Sequence, residues 1–470
     1  MTALTNFPMS DVAWWQPHAN RATTHPAMRR VRSNGSAAFI AVVIFTFILL
    51  LSPQNWFPAL APFRIALMAA GAATVCLLWD RWRQRATLLH INKELLVSAA
   101  LAAWAILTLP LSLWPGGSFN ILTDPYLKAL TIFWLLSNIV TSVPRLRFVA
   151  VSLFLCTVPL AAGGLKNFMT GKHVVNGDRI LGYNTALTLN PNDMALMLNL
   201  VIPLGVAIFL NTTRSSIRIF CLLVIAFDVV GVILTFSRAG FLSLATICVV
   251  YSVKLFQRAS DRKWAVAVLL LTLVFLPLLP STYVDRISTI RSIDADPTGS
   301  AQARWRDSVA AIHFVTEHPI IGAGIGMDIL ALNQVRGPQW KQVHNIYLQY
   351  AVDLGLPGLI MFLILFWGVF RAARSSRQRA ASVPELRSLF LLTEALEVSL
   401  IVFLVAGFFH PVAYHFYFFY IGGLALAARS ATDDAISRTN LVEDSRPRLS
   451  VLTTLDEESR WRPSSAGVIA

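Results

Sequence analysis

Charged residues and cysteines are both scarce in this chain, and each shortage excludes a class of protein. Only 14% of the 470 residues are Asp, Glu, Lys or Arg, where soluble domains carry nearer a quarter. With 56% hydrophobic residues and a mean hydropathy of +0.61, a soluble enzyme is excluded. The four cysteines, Cys76, Cys156, Cys221 and Cys248, all fall within long apolar stretches. They leave no disulfide framework and no zinc-type cluster for the polar segments, and read as small buried apolar residues. There is no fixed-period repeat and no second globular domain. No short basic leader with a nearby small-residue cleavage site precedes the first apolar stretch, which is expected to act as an uncleaved signal anchor.

What the chain does have is a series of apolar runs long enough to cross a bilayer, which takes about 20 helical residues. They are apolar all round rather than alternating, which favours helices over a barrel. Spans are expected near 37–53, 60–79, 95–114, 125–142, 146–163, 193–211, 217–236, 240–256, 264–281, 353–372, 388–409 and 412–428. The expected fold is therefore an all-α polytopic membrane protein with about 12 transmembrane helices.

The net charge of +14 invites a nucleic-acid reading, but its placement argues for topology instead. With both termini cytoplasmic, one face collects Arg29, Arg30, Arg32, Arg81, Arg83, Arg85, Lys93, Arg145, Arg147, Lys254, Arg258, Arg262, Lys263, Arg371, Arg374, Arg377, Arg379 and Arg387, among others. That is roughly 27 of the 39 basic residues, as the positive-inside rule requires. The partner implied is the lipid bilayer and not a nucleic acid.

Residues 1–36 read as a polar cytoplasmic arm and 429–470 as a cytoplasmic tail, flanking a membrane domain over 37–428. Two segments on the other face are long, 164–192 and 282–352, and long loops of this kind are usually functional. Within the second, Ser300 to Thr316 reads as an amphipathic helix. Trp305, Val309 and Ile312 form its apolar stripe, and Arg304, Asp307 and His318 lie off it. Pro319 and the glycines at 322, 324 and 326 then end it in a turn.

Three positions on that outer face carry candidate chemistry: Arg238 in Ser237-Arg238-Ala239-Gly240, Arg304, and His344 just before the tenth span. An arginine at a helix end is ordinarily an interfacial snorkeller, and a lone histidine a solvated surface group. Their co-location beside hydrophobic segments points further. Guanidinium groups match phosphate oxygens bidentately, and a near-neutral imidazole accepts a proton, which suits a phosphorylated donor and a hydroxyl acceptor.

In this order and placement, the motifs resemble the O-antigen ligase and O-antigen polymerase superfamily of bacterial envelope glycan assembly. The resemblance covers roughly 175–365. It rests on Arg179-Ile-Leu-Gly182 with Asn190-Pro-Asn192, then Ser237-Arg238-Ala-Gly240, and Arg304 ahead of Pro319-Ile-Ile-Gly-Ala-Gly324. His344-Asn345 with Leu348, and Gly355-Leu-Pro-Gly358-Leu359, complete it. It implies an active site on the periplasmic face of the bacterial inner membrane, in the long loop between spans nine and ten. It implies transfer of a glycan from undecaprenyl diphosphate to an acceptor hydroxyl, with no cofactor and no metal. Arg238 and Arg304 would hold the diphosphate and His344 would serve the acceptor hydroxyl, with Arg179, Arg306 and Asn345 as substrate-binding residues. A ligase delivers to lipid A-core, and a polymerase, of O-antigen or exopolysaccharide, to another lipid-linked glycan. The segments lean towards ligase.

Several residues invite other readings. Asp294-Ala295-Asp296 has the form of a cation-binding pair but reads as a solvated turn before Pro297. Ser308 stands where the family commonly has an aromatic residue. His410 and His415, with Tyr414, Tyr417 and Tyr420, read as an interfacial aromatic belt or a sugar-binding mouth, and Trp114 and Trp340 share that ambiguity. Asp285, Asp307 and Glu317 are alternative bases. From another class, a membrane transporter is suggested by Asp228, Glu394 and Glu397, which fall inside spans seven and eleven. The paired interrupted helices of alternating-access folds are not evident in the sequence.

Overall fold

A computed structural model describes residues 36–85, 87, 91–171, 174–175, 179–180, 190–275 and 299–445. Asp285, Asp294, Asp296, Gly182 and most of both terminal arms lie outside the described residues. The chain is helical, as the all-round apolar runs require. Its helices are α1 (Ser36–Leu51), α2 (Ile65–Arg83), α3 (Lys93–Thr108), α4 (Pro115–Ile121), α5 (Leu127–Ile139), α6 (Val143–Thr170), α7 (Pro191–Asn211), α8 (Ser215–Leu234), α9 (Arg238–Phe256) and α10 (Arg262–Phe275). They continue with α11 (Ser300–Glu317), α12 (Asp328–Arg336), α13 (Ile346–Ala381), α14 (Arg387–Ala406) and α15 (Phe416–Ser445). Among the described residues, the exception to the helical pattern is a short antiparallel pair, β1 (Val174–Val175) and β2 (Arg179–Ile180).

Eight helical segments among the described residues are long and apolar enough to cross a membrane, against the twelve expected. The other four expected spans fall on α1, α5, α10 and α15. Of these, α1 and α5 have 16 and 13 residues, short of the ~20 that a span needs. Helix α10 reaches the edge of the described residues at Phe275. Helix α15 continues through Ser445, past the boundary expected at 428, with Thr432 buried and Arg429 bound to both Glu94 oxygens at 2.9 and 2.8 Å.

Helices α7 and α14 form the centre and pack on each other; both are 83% buried along their apolar windows. The segment containing α2 is only 17% buried and α8 28%. Leu67, Met68, Val75 and Trp79 on α2, and Ile219, Leu222 and Leu223 on α8, face outward. A continuous outward face of this kind suits lipid, where exposed apolar side chains cost nothing.

Two helices of the expected long loop, α11 and α12, sit beside the start of α13. The amphipathic character of α11 is as read, but its faces are reversed. Its buried side is Asp307, Ala310, Ala311 and Phe314, while Trp305, Val309 and Ile312 are half or more exposed. Small residues permit close packing there, and buried Asp307 is tolerated because Arg336 on α12 pairs with it.

The glycine-rich turn is explained by a kink. Helix α13 breaks at Gly355, where φ is 67°, a left-handed value that glycine adopts freely. The break frees three carbonyls, and each finds a donor. Val352 O accepts from Ala323 N at 2.7 Å, Asp353 O from Gly324 N at 2.8 Å, and Leu354 O from Trp104 Nε1 at 2.9 Å. In return Pro319 O accepts from Leu356 N at 2.8 Å. A Cβ on Gly355 would strike Ile320 O, and one on Gly324 would strike Ser112. The two glycine motifs are thus two sides of one clamp that holds the loop onto the membrane helix.

Candidate functional site

The site assembles where α7, α9 and α13 all begin. Helix α7 starts at the cap Asn190, whose side chain accepts from Asn192 N at 2.9 Å, with Pro191 at the first helical position. That arrangement stabilises the first turn. Helix α9 starts at Ser237, whose Oγ accepts from Gly240 N at 3.1 Å. Gly240 is required because α7 runs against it. A Cβ there would lie 2.7 Å from the Ala195 Cβ, and Asn199 Nδ2 donates to Gly240 O at 3.0 Å. Helix α13 starts at Asn345, whose Oδ1 accepts from Tyr347 N and Leu348 N at 2.9 and 3.1 Å. Helix N-termini carry partial positive charge and favour anions.

Asn192 links the starts of α7 and α9. Its Oδ1 accepts from Arg179 at 2.8 Å and from Ser237 Oγ at 2.8 Å, and its backbone oxygen lies 3.0 Å from His410 Nε2. Arg179 also donates to Thr235 O at 3.2 Å, so β2 is tied to the turn that carries Arg238. Phe236 in that turn has φ of 48°, a costly conformation for a bulky residue, and the network around Asn192 holds it there. Arg238 itself is half-buried at the first position of α9.

His344 lies partly buried just before α13. Its Nδ1 lies 2.9 Å from Gln342 O; a carbonyl only accepts, so Nδ1 carries the proton and Nε2 keeps its lone pair. Burial, then the positive charge of Arg304, push its pKa down to about 4, with His410 and Lys341 adding to the fall and Gln342 O opposing it. Buried His410 is lowered too, first by burial, although its ring faces two carbonyls, and Arg304 and Arg179 also push it down. A neutral ring satisfies one of those carbonyls; a protonated ring would satisfy both.

Of the residues expected from sequence, the structure therefore brings Arg304 and His344 into electrostatic reach of each other, and joins Arg179 to them through His410. Arg238 connects through Ser237 and Asn192. Arg306 is exposed on α11, and its charge acts on Arg336 rather than on the histidines. Asn345 has its side-chain oxygen engaged as the α13 cap. Ser308 donates to Arg304 O at 2.9 Å, so the helix takes up its hydroxyl internally. Asp307 is occupied by Arg336, and Glu317 is an exposed partner of His313 at 3.7 Å.

Two features of the site depend on packing. His410, read from sequence as part of an aromatic belt or a sugar-binding mouth, follows α14 and meets Asn192 O. The tyrosines beside it are neither a belt nor a mouth: Tyr414, Tyr417 and Tyr420 are each 3% exposed, inside the core. The second feature is a buried acid pair beneath His344. Asp328 Oδ2 accepts from Val343 N at 2.8 Å, one residue before His344. Burial raises the pKa of Asp328 to about 6 despite three backbone N–H groups, and the neighbouring acid is Asp353 at the kink. Among the described residues, neither acid has a cationic partner, and no group of three His, Cys, Asp or Glu side chains has the arrangement of a metal site.

No curated protein matches the chain. Residues 219–363, under half of it, match the O-antigen ligase family. The match takes in Arg238, Arg304 and His344 and leaves out Arg179 and His410. With the bundle of apolar helices, it supports a multi-pass membrane protein and glycan transfer of the ligase or polymerase type in surface polysaccharide biosynthesis. The matched segment, with the motifs within it, supports the O-antigen ligase and O-antigen polymerase superfamily.

Proposed function

We propose that the chain transfers a glycan from undecaprenyl diphosphate to an acceptor hydroxyl at the periplasmic face of the bacterial inner membrane, as an O-antigen ligase-type enzyme acting on lipid A-core. The proposal includes the twelve-span topology with both termini cytoplasmic and the Arg–His cluster outside. The observation that carries it is His344, held neutral with Nε2 available, beside the charge of Arg304.

In the reaction, the acceptor oxygen bonds to the anomeric carbon as the bond from that carbon to the phosphate oxygen breaks. The acceptor proton passes to His344 Nε2, and undecaprenyl diphosphate leaves with the bonding electrons. Arg238 and Arg304 balance the charge that grows on the leaving diphosphate, where one well-placed donor is worth about 10²–10³ in rate. A pKa near 4 is low for a base working at neutral pH. The arriving diphosphate offsets the Arg304 charge and so raises the basicity of His344 when substrate is in place. Arg179 and His410 hold the starts of α7 and α9 in position behind it.

Of the three acids behind the transporter alternative, Asp228 is buried in α8 and accepts from Thr157 Oγ1 at 2.9 Å, and the two glutamates are taken up in ion pairs. Glu394 is ion-paired with Arg258, and Glu397 with Arg377 at 2.5 Å and Lys254 at 3.4 Å. Such pairs bind helices together. The test is envelope glycan profiling of a deletion strain complemented with wild-type or His344→Ala protein. Polymer stranded on the lipid carrier with bare lipopolysaccharide core identifies a ligase. Accumulated single repeat units identify a polymerase of the same superfamily. Glycans unchanged in the deletion overturn the transfer reading.

A further inference from the structure

Helix α11 presents three faces. Ala310, Ala311 and Phe314 turn inward with Asp307, and Arg306, His313 and Glu317 make a charged outer side. Beside that charged side runs an apolar outer stripe at i, i+4 and i+7. Trp305 is 62% exposed, Val309 50% and Ile312 54%. Ile320 and Ile321, in the turn that follows, are 62% and 37% exposed. A loop helix in water needs an inward face and a polar one; a third face, apolar and outward, calls for an apolar neighbour.

The glycine clamp fixes the depth of that turn. Besides its bonds to the α13 kink, it is held by Leu113 N, which donates to Ala323 O at 2.8 Å two residues past the membrane-length segment Lys93–Leu111. Beyond the kink, the apolar run of α13 reaches from Leu356 to Phe370 and ends at Arg371, which is exposed along with Arg374. On this run Leu356, Ile360, Leu363, Ile364 and Trp367 are 42% to 55% exposed and form an outward face suited to lipid. At 1.5 Å per residue the run covers about 21 Å, short of the ~30 Å of hydrocarbon. The kink at Gly355 therefore lies within the leaflet on the His344 side, and the turn bonded to it lies there too. Pro319 O accepts from Leu356 N, so the chain leaving α11 continues directly onto the lipid-facing strip of α13.

We propose that α11 is a membrane-docked helix whose Trp305–Val309–Ile312 stripe, with Ile320 and Ile321, lies in the headgroup–acyl boundary of the leaflet on the His344 side. The occupant of the stripe is lipid rather than protein, because the stripe continues a surface that lipid already covers on α13. The charged side with Arg306, His313 and Glu317 then meets water, which is the division of faces found in interfacial helices. Tryptophan is at home at that depth, its ring in the apolar boundary and its N–H among the headgroups. Arg304 directly precedes Trp305, so docking holds its guanidinium at the level of lipid phosphates. That consequence for Arg304 rests on the proposed transfer reaction; the docking itself does not.

The test uses the full-length chain in lipid nanodiscs loaded with one copy each, and reads position in the bilayer, so a chain without transfer activity still answers it. Hydroxyl-radical footprinting of the wild-type protein needs no variant. Trp305 should be oxidised several-fold more slowly than His313 on the same helix, although indole is the more reactive ring. Nitroxide labels on Val309→Cys and Ile312→Cys, with the four native cysteines replaced by alanine, then report depth. They should be relaxed by oxygen in preference to a water-soluble nickel chelate, at about 5–10 Å below the headgroup boundary. Labels on His313→Cys and Glu317→Cys should show the opposite preference. Oxidation of Trp305 as fast as His313 overturns the proposal, and so does a preference for the nickel chelate at 309 and 312. Protection of Trp305 that appears only when two copies share a disc assigns the stripe to a second chain and overturns the lipid assignment.

Discussion

The two ends of this helix bundle are both rich in arginine and use it in opposite ways. At the α13–α14 end, Arg258, Arg377 and Lys254 meet Glu394 and Glu397, which are almost fully buried. Charge there is matched by charge, and the product is a cross-brace between α9, α13 and α14. At the His344 end, Arg179 is held by the neutral oxygens of Thr235 and Asn192, and Arg304 leaves its mark as a positive field on two histidines. An arginine fixed by neutral acceptors keeps its full charge for a ligand, whereas one fixed by a carboxylate has given it up. Composition does not distinguish the two ends; the partners do.

The largest effect that would break this comparison is loss of transfer. Arg304→Ala and Arg238→Ala should each lower glycan transfer by about 10²–10³ or more, measured on purified protein with lipid-linked donor, with membrane insertion unchanged. Lysine at either position should rescue only partly, because a point charge does not reproduce the guanidinium fork. Full activity in either alanine variant removes the diphosphate clamp.

Next in size is the brace. Arg258→Ala leaves buried Glu394 with the more distant Lys254 at 3.9 Å and should cost up to about 3–5 kcal/mol of stability. Thermal unfolding in detergent should register the loss, while the surviving folded fraction keeps its activity per molecule. If transfer falls but stability does not, the two ends are not separate in purpose.

The acid pair under His344 gives a smaller effect with a sign. Asp328→Ala removes the acceptor for Val343 N–H and should cost about 1–3 kcal/mol. Asp328→Asn keeps an acceptor and removes a charge. Because the folded pKa of Asp328, about 6, lies above the unfolded value of about 3.9, its contribution is fully present below pH 3.9 and is lost as pH rises through 6. The asparagine variant should therefore be the more stable protein above pH 6 and show no gain near pH 4. A gain that does not depend on pH would show that Asp328 is not the titrating group.

His344 yields an effect of the reverse sign. Its folded pKa of about 4 lies below the unfolded value of about 6.5. Between the two, the unfolded chain binds more protons, so stability rises with pH and is fully present above pH 6.5. Arg304→Ala should raise the His344 pKa towards 6.5, read by NMR of labelled histidine. No movement would mean that Arg304 does not act on the ring.

The sequence located Arg238, Arg304 and His344 because each lies beside a hydrophobic run in a short pattern with local causes: a cap at Ser237, a cap at Asn345, a glycine clamp at Gly324 and Gly355. Where a residue's part depends on a partner from elsewhere, the pattern was silent or misleading. His410 reaches Asn192 from 218 residues away, and Asp328 meets Asp353 only once α13 is kinked. The apolar stripe of α11 was legible but not the direction it faces, because Ala310, Ala311 and Phe314 pack as well as bulkier residues once Arg336 neutralises Asp307.

By itself, then, the sequence determined that this is a helical membrane protein and which short motifs are set apart. Backbone hydrogen bonding in lipid leaves apolar runs no other form, and helix starts and stops are written in neighbouring residues. Only the tertiary structure decided which arginines pair with carboxylates and which with neutral oxygens, and that His344 Nδ1 meets Gln342 O. Those properties are set by burial and by the charge of neighbours distant in sequence, and neither exists until the helices have packed.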